Sequence, residues 1–163
     1  MTSKLLNVLF LCESNSSLSV FAEAILKRFG RGKFQAFSAG SDPKPQIDPL
    51  TVYELQHHNY DPSALRVDDW HDYAEPDAPA MDFVIALSDR VPLADHPDWP
   101  GEPLTTVWHI ADPIDVDGGE MQRKAAFVRA LTELESRISI FVNLPIESLD
   151  RLKLQQRLND IGG

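Results

Sequence analysis

Val8-Leu9-Phe10-Leu11-Cys12-Glu13-Ser14-Asn15-Ser16-Ser17-Leu18-Ser19 joins an apolar run to a serine-rich loop that carries the only cysteine of the chain. Residues 5–11 are apolar except for Asn7, the pattern of a strand buried on both faces of a parallel sheet. Leu18, Phe21, Ala22, Ile25, Leu26 and Phe29 then recur at helical spacing. Ser16 or Ser17 is placed to cap that helix, and Gly30 stands at its end. A loop between a buried strand and a helix start points several backbone N–H groups into one concavity, where the helix dipole favours an anion. The same field favours a thiolate, and cysteines so placed have pKa values of ~3.5–7.5. Glu13 opposes that effect, and no Lys, Arg or His lies between Cys12 and Lys27. Ser19 is positioned to donate a hydrogen bond to the sulfur. The bland alternative is that Cys12 fills space at a strand end and the loop is only a turn with a helix cap.

Working outward, residues 34–39 read as a second strand ended by Gly40, followed by a loop with Pro43 and Pro45. Asp48 as N-cap and Pro49 at the first helical position predict a helix running to about Asn59. Residues 67–73 hold one helical turn. Residues 83–87 read as a third buried strand, and 104–108 as a fourth after a Pro-interrupted stretch. From Glu120 a long helix carries Phe127, Leu131, Leu134, Ile138 and Phe141 on one stripe and ends before Pro145. Leu149, Leu152 and Leu158 predict a last amphipathic helix, whose stripe packs either on its own sheet or on a neighbour's. Strands alternating with helices predict a three-layer open α/β sheet of four parallel strands with helices on both faces. Ligands of such sheets bind at the carboxyl ends of the strands, where Cys12, Ser88 and the loop after Trp108 fall.

The 163 residues, 43% hydrophobic and 25% charged, fit one domain spanning 1–163 with a proper core. A formal charge of −10 argues against nucleic acid or an anionic membrane as the main partner, since both need clustered Lys and Arg. The apolar run near the N-terminus is too short to span a membrane and lacks a signal-peptide cleavage pattern, so a cytoplasmic location is expected. One cysteine makes no internal disulfide, and His57, His58 and His71 lack metal-ligand spacing. No metal or cofactor is expected.

The pattern Cys12-x-x-Asn15-Ser16-x-x-Ser19-x-x-Ala22-Glu23-Ala24 resembles the opening of the low-molecular-weight protein tyrosine phosphatase superfamily, and most closely its arsenate reductase branch. Ser38-Ala39-Gly40, Val84-Ile85-Ala86-Leu87-Ser88-Asp89, His96-Pro97-Asp98-Trp99-Pro100-Gly101, and Trp108 followed by Asp112-Pro113 resemble that branch in the same order, over nearly the whole chain. The resemblance implies a low-molecular-weight phosphatase-like fold. It also implies that Cys12 is a nucleophile, that the backbone amides of Glu13, Ser14, Asn15, Ser16, Ser17, Leu18 and Ser19 cradle an oxyanion, and that Asn15 organises the loop. Asp112 would be the general acid, since a thiolate displacement leaves an oxyanion that needs a proton. By itself, Asp112 before Pro113 reads as a turn residue.

The departures from the family pattern fall at chemical positions. Leu18 stands where the family has an arginine that grips two oxyanion oxygens, and arginines in comparable roles are worth roughly 10³–10⁵ in rate. Ser88 and His96 stand where thioredoxin-coupled arsenate reductases have their relay cysteines. Arg90 and His109, on the same rim, are the candidate substitute cations. The first expectation is therefore a catalytically impaired relative that binds a small oxyanion (phosphate, arsenate or sulfate) or a phosphorylated partner. The alternative is an active arsenate reductase or phosphatase using Cys12 and Asp112 with an external thiol or a substitute cation. A cysteine phosphocarrier of the sugar-transport IIB kind fits the loop, but lacks the Asp-Pro loop and the C-terminal helices.

Overall fold

The fold is that of a computed structural model, described for residues 4–163. β1 (Leu6–Cys12) lies between β2 (Phe34–Gly40) and β3 (Phe83–Ala86), and β4 (Leu104–Val107) forms the other edge. All three pairings are parallel, in the order β2-β1-β3-β4. The apolar run is buried on both sides because β1 is an inner strand. Val8, Phe10 and Cys12 face one core, while Leu9 and Leu11 face the other. In register, Cys12 stands beside Gly40 at the carboxyl end of the sheet.

The expected α/β sheet of four parallel strands is present, but its four α-helices all pack on one face instead of dividing between both. α1 (Leu18–Phe29), α2 (Pro49–His57), α3 (Glu120–Val142) and α4 (Arg151–Gly162) contribute side chains to the core on the Val8 side. The opposite face is covered by the 3-10 turns Trp70–Ala74 and Leu93–Asp95 and by Trp99, whose ring meets that of Trp70 at 6.1 Å. Prolines at 62, 76 and 79 punctuate the passage from α2 to β3 and oppose an α-helix there.

Phe127, Leu131, Leu134, Ile138 and Phe141 are all buried, as their spacing predicts. Several boundaries differ from expectation. β1 starts and ends one residue later than expected, and β2 includes Gly40. α2 stops at His57, because Asn59 takes a left-handed conformation (φ 64°) and closes the helix. Two expected stripe residues are exposed: Phe29 on the last turn of α1, and Leu152, which lies on the outer side of α4 while Leu154 and Leu158 face the core. Leu158 thus packs against the chain's own sheet. Among the described residues, no helix is long and apolar enough to cross a membrane.

Candidate functional site

The chain leaves β1 at Cys12 and winds through residues 13–17 before α1 begins at Leu18. The loop's carbonyls are held from outside. Those of Cys12, Glu13, Ser14 and Ser16 accept from the backbone N–H groups of Ser41, Asp42, Lys44 and Asp48, and Thr51 Oγ1 also donates to Ser16 O at 2.7 Å. The loop's carbonyls are drawn toward residues 41–51, and the backbone N–H groups of Ser19 and Asn15 are directed at the Cys12 sulfur. Gly40 lets β2 pass directly beneath. A Cβ there would stand 2.8 Å from Glu13 O and 3.0 Å from Asn15 N.

Asn15 organises this turn. It adopts φ 49°, a left-handed conformation that asparagine tolerates better than most residues. Its Nδ2 donates to Ser19 Oγ (2.8 Å) and Ser38 Oγ (3.0 Å), and its Oδ1 accepts from Asp68 N (2.7 Å). Ser38 in turn donates to Glu23 Oε1 at 2.6 Å, and Glu23 pairs with Lys27. Ser38 and Glu23 belong to the motifs quoted above but were given no role there, and Asp68 was not singled out from the sequence. The signal for one of them is a carboxylate within the otherwise apolar Ala22-Glu23-Ala24 of α1.

Cys12 is completely buried, its Sγ 2.9 Å from Ser19 Oγ. The expected acidification of the thiol is reversed: burial pushes its pKa above the ordinary value, hydrogen bonding from Ser19 and the Asn15 amide only partly offsets this, and the Asp112 carboxylate raises it further.

The expected Ser16 or Ser17 cap is also corrected. Ser17 occupies the N-cap position of α1 but makes no side-chain cap bond; its hydroxyl instead donates to Asp112 Oδ1 at 2.9 Å. Asp112 accepts from Ile114 N as well, the turn role expected of it. Both groups named for chemistry, Cys12 and Asp112, therefore meet at the loop. Leu18 points away from it. Its side chain is fully buried with Val20, Phe21 and Phe127 in the core on the Val8 side.

Around the mouth, Ser88, Asp89, Arg90, His109, Ile110 and Asp112 line a cleft of about 330 Å³. Arg90 Nη1 donates to Asp115 Oδ1 at 3.1 Å and lies 3.7 Å from Glu13 Oε1. His109 pairs with Asp89 at 2.8 Å. Ser88 accepts from Arg90 N, whereas exposed His96 stacks on Trp99 with ring centroids 4.8 Å apart.

Residues 7–155 match the low molecular weight phosphotyrosine protein phosphatase family. The chain belongs to that family. Its fold is similar to that of a low molecular weight phosphotyrosine phosphatase from Vibrio cholerae O395, at 21% identity and TM-score 0.68 over 88% of this chain and 99% of that one. It is also similar to an arsenate reductase described in a phosphate-binding state, at 20% identity and TM-score 0.62 over 85% and 97% of the two chains. A Vibrio vulnificus protein in complex with benzylphosphonate is similar at 16% identity and TM-score 0.65 over 85% and 98%. A search of curated proteins found no match. The family and the arsenate reductase likeness expected from the cysteine loop are met.

Proposed function

We propose that this family member binds a small oxyanion (phosphate, arsenate or sulfate), free or on a phosphorylated partner, in the 12–19 loop, with catalysis strongly impaired. The observation that carries the reading is the fully buried Leu18 side chain, which packs in the core where a guanidinium would have to face the loop. Binding is supported by the Asn15 and Ser19 N–H groups directed at Cys12, and by two proteins of similar fold, one described in a phosphate-binding state and one in complex with benzylphosphonate.

Impairment follows from two physical terms. The nucleophile must be a thiolate, and burial holds the proton on Cys12. Charge building on the transferred group would meet no cation from residue 18, a loss of roughly 10³–10⁵ in rate by comparison with other phosphoryl-transfer arginines. The relay of thioredoxin-coupled reductases has no second or third thiol to run on.

One observation favours residual chemistry by the alternative route: Ser17 holds Asp112 at the loop, where a general acid would act on a leaving oxygen. Isothermal titration with inorganic phosphate tests the binding half. Saturable heat, lost in Gly40→Ala, is expected; no saturable heat in the wild type overturns the reading.

A further inference from the structure

Arg90 is a cation whose guanidinium contacts a side chain of the loop. It follows β3, lines the cleft beside Asp112, and its guanidinium lies 3.7 Å from the carboxylate of Glu13, the residue after Cys12. Its main partner is Asp115, with Nη1 donating to Oδ1 at 3.1 Å and Nη2 against Oδ2. Asp115 ends the 3-10 turn Pro113–Asp115, which Asp112 caps through Ile114 N. The same guanidinium therefore touches both the cysteine loop and the turn that carries Asp112. His109, the other basic side chain of the cleft, is engaged by Asp89 and contacts no loop residue through that pair. The remaining charged groups at this mouth, Glu13, Asp89, Asp112 and Asp115, are all carboxylates that repel an anion unless a cation intervenes.

A carboxylate gripping a guanidinium through two oxygens occupies the geometry a phosphate would use. We propose that Arg90 is the oxyanion-binding cation of this site and that Asp115 is its internal competitor. On binding, the oxyanion takes the guanidinium from Asp115, so that ligand occupancy is coupled to release of the 113–115 turn. Both residues are about half exposed, which leaves the side chain room to turn and makes their replacement harmless to the core. This inference rests on the reading of the 12–19 loop as an oxyanion site.

The test is calorimetric titration of inorganic phosphate into the wild type, Arg90→Ala, Arg90→Lys, Asp115→Asn and the double variant Arg90→Ala/Asp115→Asn, each checked for an unchanged melting transition. Arg90→Ala is expected to weaken binding by about tenfold or more, the worth of a charge-assisted pair. Arg90→Lys should recover part of that loss. Asp115→Asn should tighten binding by about fivefold, because the competitor for the competent state is removed. In the Arg90→Ala background Asp115→Asn should tighten binding much less, through relief of carboxylate repulsion alone. If Arg90 is only a structural tie, both single replacements break the same pair and shift binding in the same direction, which overturns the proposal. Equal tightening by Asp115→Asn with or without Arg90 would assign the effect to bulk charge and overturn it too. Absence of phosphate binding in the wild type defeats the loop reading itself, whereas wild-type binding that Arg90→Ala leaves intact defeats only the role of Arg90.

Discussion

Ser17 Oγ donates to Asp112 Oδ1 at 2.9 Å, tying the loop after β1 to the loop after β4. The hydroxyl expected to cap α1 is thereby spent across the cleft. Leu18, the next residue, turns into the core, so the two neighbours divide the start of α1 between site and scaffold.

Leu18→Ala removes a fully buried side chain from the middle of the larger core. Stability should fall by about 3 kcal/mol, read as a lower midpoint in urea unfolding with an unchanged slope. A change under about 0.5 kcal/mol would mean that Leu18 does not pack as described.

Gly40→Ala places a methyl group against Glu13 O and Asn15 N, both backbone atoms that yield only by moving the loop. Stability should drop by about 2 kcal/mol, the cost of overpacking, and phosphate binding should be lost. Amide chemical-shift changes centred on residues 13–16 would localise the cause, and unperturbed shifts there would contradict it.

Asn15 combines a left-handed backbone with three side-chain hydrogen bonds. Replacing it by Gly removes the bonds and keeps the backbone, whereas Ala removes both. Both variants should be destabilised, by ~2 kcal/mol or more, with Ala worse than Gly by about 1 kcal/mol. Equal losses would show that the conformation carries no strain. Chemical denaturation at fixed pH measures the difference.

Stability should also fall on the alkaline side. Below the ordinary thiol pKa of ~8.5, folded and unfolded chains both carry the Cys12 proton. Above it the unfolded chain releases that proton while the buried thiol retains it, so the native state binds more protons and loses stability as pH rises. Tyr60 and Tyr73 are also pushed upward by burial and by their carboxylate partners Glu135 and Asp68, and add the same sign only near their unfolded pKa of ~10. Between about pH 8.5 and 10 the slope should therefore vanish in Cys12→Ser. A slope unchanged by that substitution would place the titration elsewhere.

The sheet was legible because β3 is apolar throughout and β1 is apolar except for Asn7, the signature of inner parallel strands, and because the α3 stripe keeps helical period over five residues. Leu152 and Phe29 misled for an opposite reason: a leucine or phenylalanine near a helix end satisfies a spacing rule without facing the core. In the candidate site, the loop could be named from local sequence, and Asp112 only from the family resemblance, since by itself it reads as a turn residue. The Asn15–Ser38–Glu23 network and the Arg90–Asp115 pair could not, since their partners lie 15 to 25 residues apart and only the fold joins them. The thiol was misjudged because the field of a helix start is visible in sequence, whereas complete burial of Cys12 is a property of the packed chain.

The central claim, binding without effective turnover, is tested most directly by steady-state hydrolysis of an aryl phosphate at saturating substrate, with Cys12→Ser as the blank and arsenate reduction by an external thiol assayed alongside. The account predicts turnover at least ~10³ below that of arginine-bearing family members, close to the blank. Cys12-dependent turnover at the rate of those members would contradict it.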